Sequence, residues 1–250
     1  NNANNEDDIK NGSALAELYG IQIVPPRYGI SKDRYVYDKD RHVIAKGINS
    51  IKYMNSTVAN ELYGLAKRSD PKTFMSLLTL MNNETSIDTR QRDILIKIDF
   101  FVDFGNVTEL SRIASVFAFF KNGTAKKVQK DKISGQMLDV VSKYATDKNK
   151  NGTEAKSFTI TDMAGLLDEC EDVIKSLHLP DLDLKCKIQN QIELMGYIDL
   201  TTNKKEDRRK LLITDVFPLS SKKDNTIWGY AVQTRSVGSG KASRLTIRSS

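Results

Sequence analysis

Basic side chains and two aromatic rings gather in the last fifth of the sequence, where together they could hold a polyanion. Residues 201–250 carry 11 Lys and Arg against 4 Asp and Glu, a net charge of +7, whereas the other 200 residues carry 27 against 28. Trp228 and Tyr230 lie two residues apart, so on a strand both rings would share one face. Positive groups beside rings that can stack on bases are typical of surfaces that bind single-stranded nucleic acid.

The side chains that we expect to contribute to this basic surface are Arg209, Lys210, Trp228, Tyr230, Arg235, Lys241 and Arg244. An alternative stays open, in which the rings pack inward and the charges are only solvated.

Other kinds of chemistry lack the side chains that they need. The chain has two cysteines, Cys170 and Cys186, and two histidines, His42 and His178, which is too few for a disulfide framework, a zinc site or a catalytic triad. We therefore expect no catalytic residue, no metal site and no cofactor. Free thiols fit a reducing, cytoplasmic setting, and no run approaches the ~18 apolar residues of a membrane span.

The elements that would position these groups change in kind along the chain. Residues 21–24 read as a short strand, and residues 35–37 and 42–44 as a β-hairpin around a polar turn. From Ser50 to about Phe120 the apolar residues recur at helical spacing, with one helix starting at Ser56-Thr57 and running through Leu65 and another starting at Asp70-Pro71. Two more helices are expected over residues 88–101 and 107–120.

The second half reads as a basic connector (residues 121–132), a polar loop (147–156), helices over 160–177 and 184–194, and a return to alternating strands from Arg209. These expected strands cover residues 211–216, 227–232 and 244–247. The pattern as a whole predicts an α+β protein, helical first and with a small antiparallel sheet at the end.

Four segments together resemble the alpha subunit of bacterial DNA polymerase III, the C-family replicative polymerase of bacteria and phages. They are Tyr19–Pro26 with Ile30-Ser31, then Val43–Lys52, Asp88–Asn106 and Glu193–Ile198. Each is similar to a stretch of the family that lies beyond the polymerase palm, and they occur in the family's order.

The resemblance implies a division of the chain into the end of the fingers and a linker (1–34), a helix-hairpin-helix domain (35–122), a helical connector with a flexible loop (123–200) and a partial OB fold (201–250). It also implies that the catalytic aspartates belong to the palm, for which this sequence has no counterpart.

A helix-hairpin-helix binds DNA because the amides of a tight turn point at a phosphate. The family's Gly-x-Gly turn corresponds to Tyr53-Met54-Asn55 here, and the resemblance implies phosphate contacts from Lys52, Asn55, Ser56 and Thr57. Tyr53 departs from the family's glycine, so a hairpin retained only for packing is the alternative.

Residues 136–141 are similar to the family's short peptides that bind the sliding clamp, with Gln136 and Leu138 as the contacts. The alternative for this segment is an ordinary amphipathic helix.

Taken together, the sequence predicts a DNA-binding, non-catalytic portion of a replicative polymerase, with double- and single-stranded DNA and the clamp as partners and no membrane. The competing hypothesis is a helical scaffold that recruits proteins in replication or repair. Salt-dependent DNA binding separates the two, because only the first needs phosphate contacts.

Overall fold

The computed structural model describes residues 15, 16, 18–148 and 153–196, together with the backbone of two strands, Tyr230–Val237 and Ala242–Arg248. The chain divides into two compact units, Asn1–Gly196 and Tyr197–Ser250. Helices and small sheets are both present, so the protein is α+β, as the sequence predicts. Within the described ranges, no helix is long and apolar enough to cross a membrane.

A three-stranded sheet opens the first unit. β1 (Gln22–Val24) runs parallel to β3 (Val43–Ala45), and β2 (Val36–Asp38) pairs antiparallel with β3, which confirms the predicted hairpin. Gly47 follows β3, where a Cβ atom would lie 2.4 Å from the carbonyl oxygen of Asp33. Only glycine therefore permits this close approach of two backbone segments.

Four helices follow the sheet, and each begins at a polar side chain that accepts a hydrogen bond from an amide in its first turn. They are α1 (Ser56–Arg68), α2 (Phe74–Glu84), α3 (Thr89–Lys97) and α4 (Val107–Phe119). Their caps are Asn55, Thr73, Asp88 and Asn106. α3 ends at Lys97, four residues before the predicted end at Phe101, because Asp99 takes a left-handed backbone conformation (φ +62°).

The helices bury a core of aliphatic and aromatic side chains. Phe74, Phe101 and Phe117 are each fully buried, and the rings of Phe74 and Phe101 lie 5.4 Å apart. Burial of such side chains removes apolar surface from water and is the main term that holds the helices together.

The remainder of the first unit differs from the helical connector that the sequence predicts. Three strands, β4 (Lys127–Gln129), β5 (Ala145–Lys148) and β6 (Glu154–Ile160), form an antiparallel sheet in the order β4-β6-β5. Residues 147–148 and 154–156 were expected in the polar loop, and Ile160 at the start of a helix. The strands were missed because most of their residues are polar and exposed or half-buried, so they show no regular alternation with apolar residues.

Three helices complete this unit: α5 (Gln136–Tyr144), α6 (Met163–Ser176) and α7 (Leu184–Met195). α6 is joined to α2 by the fully buried carboxylate of Glu171, which accepts hydrogen bonds from the amides of Phe74 (2.9 Å) and Met75 (2.6 Å). Lys175 pairs with the same carboxylate at 2.7 Å. The start of α2 is thus completed by a residue 97 positions away.

In the second unit, β7 (Tyr230–Val237) and β8 (Ala242–Arg248) form an antiparallel pair in which Arg235 lies opposite Arg244. β8 contains the strand predicted at 244–247, and the strand predicted at 227–232 is described from Tyr230 onward. The strand predicted at 211–216 lies outside the described residues. The expectation of an OB fold stays a prediction.

Candidate nucleic-acid interface

The first turn, residues 51–57, connects the 3-10 helix Ile48–Ser50 to α1 and includes the first two residues of that helix. The amide of Met54 donates to the carbonyl of Ile51 (3.2 Å), and the backbone of Tyr53 lies in the left-handed region with φ +66°. A side chain in that region costs roughly 1–2 kcal/mol, which is why glycine is common there. The turn therefore keeps a glycine-like backbone although it carries a tyrosine.

Two residues of α3 stabilise Tyr53 in this conformation. The side-chain amide of Gln91 donates to the carbonyl of Tyr53 (2.9 Å), and the guanidinium of Arg90 lies 3.5 Å from the centre of its ring. A cation over a ring contributes about 0.5–1 kcal/mol at an exposed site, and Tyr53 is 56% exposed. Together the two contacts offset much of the backbone strain.

The structure brings the four predicted residues of the first turn together on the surface. Lys52, Asn55, Ser56 and Thr57 are all exposed. The side-chain oxygen of Asn55 accepts from the amide of Val58 (2.9 Å), so Asn55 shapes the start of α1. The hydroxyl of Ser56 accepts from the side-chain amide of Asn49 (2.8 Å).

The backbone amides of the turn fall into two groups. The amide of Lys52 donates to the carbonyl of Leu194 at 2.8 Å, so it is already engaged by α7. By contrast, the amides of Ser56 and Thr57 have no acceptor within the described part of the chain. They are the first two amides of α1, at the end of the helix where its dipole is positive. They therefore offer an anion two hydrogen-bond donors that are not engaged in another hydrogen bond.

Two basic residues beside this turn were missed from the sequence. Arg90 and Lys97 lie seven positions apart on α3, two helical turns, and therefore on the same face. A cleft of about 520 Å³ brings them next to the first turn. It is lined by Lys52, Tyr53, Thr89, Arg90, Asp93, Ile94, Lys97, Glu193 and Leu194. The seven-residue spacing was the available signal, but it did not indicate which face of α3 would meet the turn.

The second turn, residues 98–106, connects α3 to α4 and has a related backbone. Asp99 has φ +62°, close to that of Tyr53, and Asn106 caps the helix that follows just as Asn55 caps α1. The environment is opposite, because the tip is packed against other parts of the unit. Phe100 and Phe101 are buried, and the amide of Tyr28 donates to the carbonyl of Phe100 (2.9 Å).

Charged groups close the rest of the second turn. The ammonium of Lys187 lies 2.9 and 3.0 Å from the two carboxylate oxygens of Asp99 and 2.5 Å from a carboxylate oxygen of Asp181. The other oxygen of Asp181 accepts from the amide of Val107 at 3.2 Å. The first amide of α4 is therefore engaged, unlike the first amide of α1.

The directions of the pKa shifts at this cluster show which group favours its charged form. Burial alone would lower the pKa of Lys187, but its hydrogen bonds to Asp181 and Asp99 raise it overall. Burial raises the pKa of Asp99 in spite of its hydrogen bonds to Lys187. Hydrogen bonding outweighs burial for the pKa of Lys187, because its ammonium contacts two carboxylates. Burial outweighs hydrogen bonding for Asp99, which has one cationic partner at hydrogen-bonding distance among the described residues. Lys187 therefore stays positively charged.

No protein-family model matches the chain, and a search of curated proteins finds no match. The resemblance to the polymerase III alpha subunit therefore rests on the four sequence segments. Two of these segments fall at the two turns: Val43–Lys52 leads into the first, and Asp88–Asn106 contains the second.

Gln136 and Leu138, the predicted clamp contacts, lie in the first turn of α5, and both are exposed. This part of the chain is helical, as the alternative interpretation expects. Gln136 also borders an apolar groove of about 230 Å³ between α4, α5 and α6. Clamp binding stays a prediction.

The predicted residues of the basic C-terminal surface are only partly described. Arg209, Lys210, Trp228 and Lys241 lie outside the described residues. The backbone of Tyr230, Arg235 and Arg244 is described, with the first two on β7 and Arg244 on β8.

Proposed function

We propose that this chain is a DNA-binding, non-catalytic portion of a replicative DNA polymerase, which holds duplex DNA through the first turn and single-stranded DNA through its C-terminal surface. The observation that carries the proposal is the pair of unengaged amides at Ser56 and Thr57, exposed beside Lys52. Backbone donors at a helix start, with a lysine alongside, suit a phosphate group.

Contacts of this kind do not read sequence. Amides and a lysine ammonium bind phosphate oxygens, which are the same at every base pair. Arg90 and Lys97 extend the positive surface along α3, although Asp93 and Glu193 reduce its net charge. We therefore expect duplex binding that is independent of sequence and falls steeply with salt.

The C-terminal surface supports the single-strand part of the proposal. Residues 201–250 carry a net charge of +7. Arg235 and Arg244 occupy one register position on adjacent strands, where like charges repel and destabilise the pair. A polyanion bound across both strands would relieve this repulsion.

A salt titration of the full chain on short random-sequence duplexes and single strands tests the proposal. Lys52→Ala is expected to weaken duplex binding a few-fold and to lower the salt slope by about one counterion or less. Lys72→Ala is the control, because Lys72 is also exposed but lies beyond the opposite end of α1. It should leave duplex binding nearly unchanged.

The single-strand arm uses Arg235→Ser combined with Arg244→Ser, which should flatten the salt slope for single strands and affect duplexes less. If the unaltered chain binds neither form of DNA in a salt-dependent way, the proposal fails and the scaffold hypothesis is favoured. If Lys52→Ala and Lys72→Ala behave alike, the first turn is not the duplex site.

A further inference from the structure

The second turn contains an anion that the protein itself supplies. One carboxylate oxygen of Asp181 accepts from the first amide of α4, that of Val107, and the other contacts the ammonium of Lys187. An amide at a helix start and an ammonium are the two kinds of donor that hold a phosphate oxygen in nucleic-acid complexes. In the first turn the corresponding amide, that of Ser56, has no acceptor among the described residues.

We propose that Asp181 is an internal competitor for DNA phosphate at the second turn, so that duplex contact by this unit depends on the first turn alone. The inference rests on the proposed function and deepens it, because it states which of two similar turns is open to the ligand and which residue closes the other.

Asp181 is the member of the cluster that can be displaced. Its side chain is 37% exposed, whereas those of Asp99 and Lys187 are 23% and 17% exposed. It precedes α7 in a segment without regular structure. The two contacts between Asp99 and Lys187 do not involve Asp181, so we expect them to persist when Asp181 is replaced. Removal of Asp181 would therefore leave the Val107 amide without this acceptor, with Lys187 still in place.

The experiment measures duplex affinity and its salt slope for two full-length variants that each remove one negative charge from the same region. Asp181→Ala opens the start of α4. Asp103→Ala is the matched control, since Asp103 is exposed in the 3-10 helix Val102–Phe104 of the second turn and does not contact Val107. We expect Asp181→Ala to bind duplex about fivefold more tightly, with a salt slope steeper by about one counterion. Asp103→Ala should gain less than about twofold, from general charge alone.

Two further variants locate the gain. Asp181→Asn keeps an oxygen that can accept from Val107 but loses the charge, so its gain should fall between those of the two alanine variants. Asp181→Ala combined with Lys187→Ala should lose most of the gain, since Lys187 is the cation that would receive the phosphate. If Asp181→Ala does not fold by circular dichroism, the contrast between Asp181→Asn and Asp103→Asn decides instead.

The inference is overturned if the unaltered chain binds duplex but Asp181→Ala gains no more than Asp103→Ala. It is also overturned if the double variant keeps the full gain. Failure of the unaltered chain to bind duplex at all would remove the proposed function and this inference together, so the two kinds of failure can be told apart.

Discussion

The turns that precede α1 and follow α3 each contain one left-handed residue, and they differ in what covers them. Tyr53 and Asp99 take nearly the same left-handed conformation (φ +66° and +62°), and an asparagine caps the helix after each turn. The first turn is exposed, with two helix amides unengaged, whereas buried aromatic rings and the Lys187 ion pairs close the second. Two turns with similar local signals therefore differ in exposure because of the segments that pack on them, and in the proposed function only the first is open to a phosphate.

The largest contrast between the turns should appear in stability. Phe101 is fully buried, and its ring lies 5.4 Å from that of Phe74 and 5.8 Å from that of Tyr28. Phe101→Ala should therefore lower the free energy of unfolding by about 3–5 kcal/mol. Tyr53→Ala, at the exposed first turn, should lower it by about 1 kcal/mol or less. Urea denaturation followed by circular dichroism measures both, and equal losses would show that the turns are not packed differently.

A second contrast concerns charge. Lys187→Met should destabilise the protein by about 2–3 kcal/mol, because two partly buried carboxylates, Asp99 and Asp181, would be left without their shared cation. Lys52→Met at the exposed turn should change stability by less than about 0.5 kcal/mol. Adding Asp99→Asn to Lys187→Met should restore part of the loss. The idea of a closed, charge-bound second turn does not survive if Lys187→Met unfolds at the same urea concentration as the unaltered chain.

Arg90 offers a smaller and more specific test at the first turn. Arg90→Ala should reduce stability by about 0.5–1 kcal/mol, since it removes the guanidinium from the face of Tyr53. It should also weaken duplex binding roughly threefold, through the loss of one positive group beside the turn. Arg90→Lys should restore the affinity more fully than the stability, because lysine keeps the charge but lacks the planar group. Equal recovery of both by lysine would argue against the stacking role.

The smallest expected effect comes from Tyr28, whose ring packs on the second turn. Its hydroxyl is buried without a well-formed hydrogen bond, although Ser69 and Arg68 lie close enough to lower its pKa slightly. At neutral pH, Tyr28→Phe should raise the free energy of unfolding by no more than about 1 kcal/mol, because it removes an unsatisfied polar group.

The pH dependence of this residue has a definite sign. Burial raises the pKa of Tyr28 from its usual value of 10.0 to about 12. The unfolded chain therefore releases this proton at a lower pH than the folded chain, and stability falls as the pH rises from about 10 to 12. Thermal melts across that range should show a shallower decline for Tyr28→Phe than for the unaltered chain. Parallel declines would mean that Tyr28 is not protected from solvent.

Much of the first unit could be predicted from local signals in the sequence. Ser56, Asp88 and Val107 were each placed within one residue of a helix start, because polar caps and apolar spacing are encoded nearby. The β2–β3 hairpin followed from two short strands around a polar turn. The clustering of Lys52 and Asn55 through Thr57 followed from their proximity in sequence.

The features that separate the two turns could not be predicted in this way. Lys187 is 88 positions from Asp99, and Asp181 is 74 from Val107, so neither contact leaves a local pattern. The contact between Arg90 and Tyr53 could not be predicted for a similar reason, because tertiary packing alone decides which face of α3 meets Tyr53. Parts of β5 and β6 were mistaken for a loop because residues 147–148 and 154–156 are mostly charged and carry no apolar alternation that would mark a strand.

The carboxylate of Glu171 has a consequence for the order in which the unit forms. Until α6 has docked, the amides of Phe74 and Met75 lack the acceptor that they have in the native protein. In a chain that has been synthesised only as far as β6, the first turn of α2 would therefore be frayed. In hydrogen exchange during refolding, these two amides should gain protection at the same time as α6 and later than the amides in the middle of α2. Their protection therefore reports when α6 docks on α2.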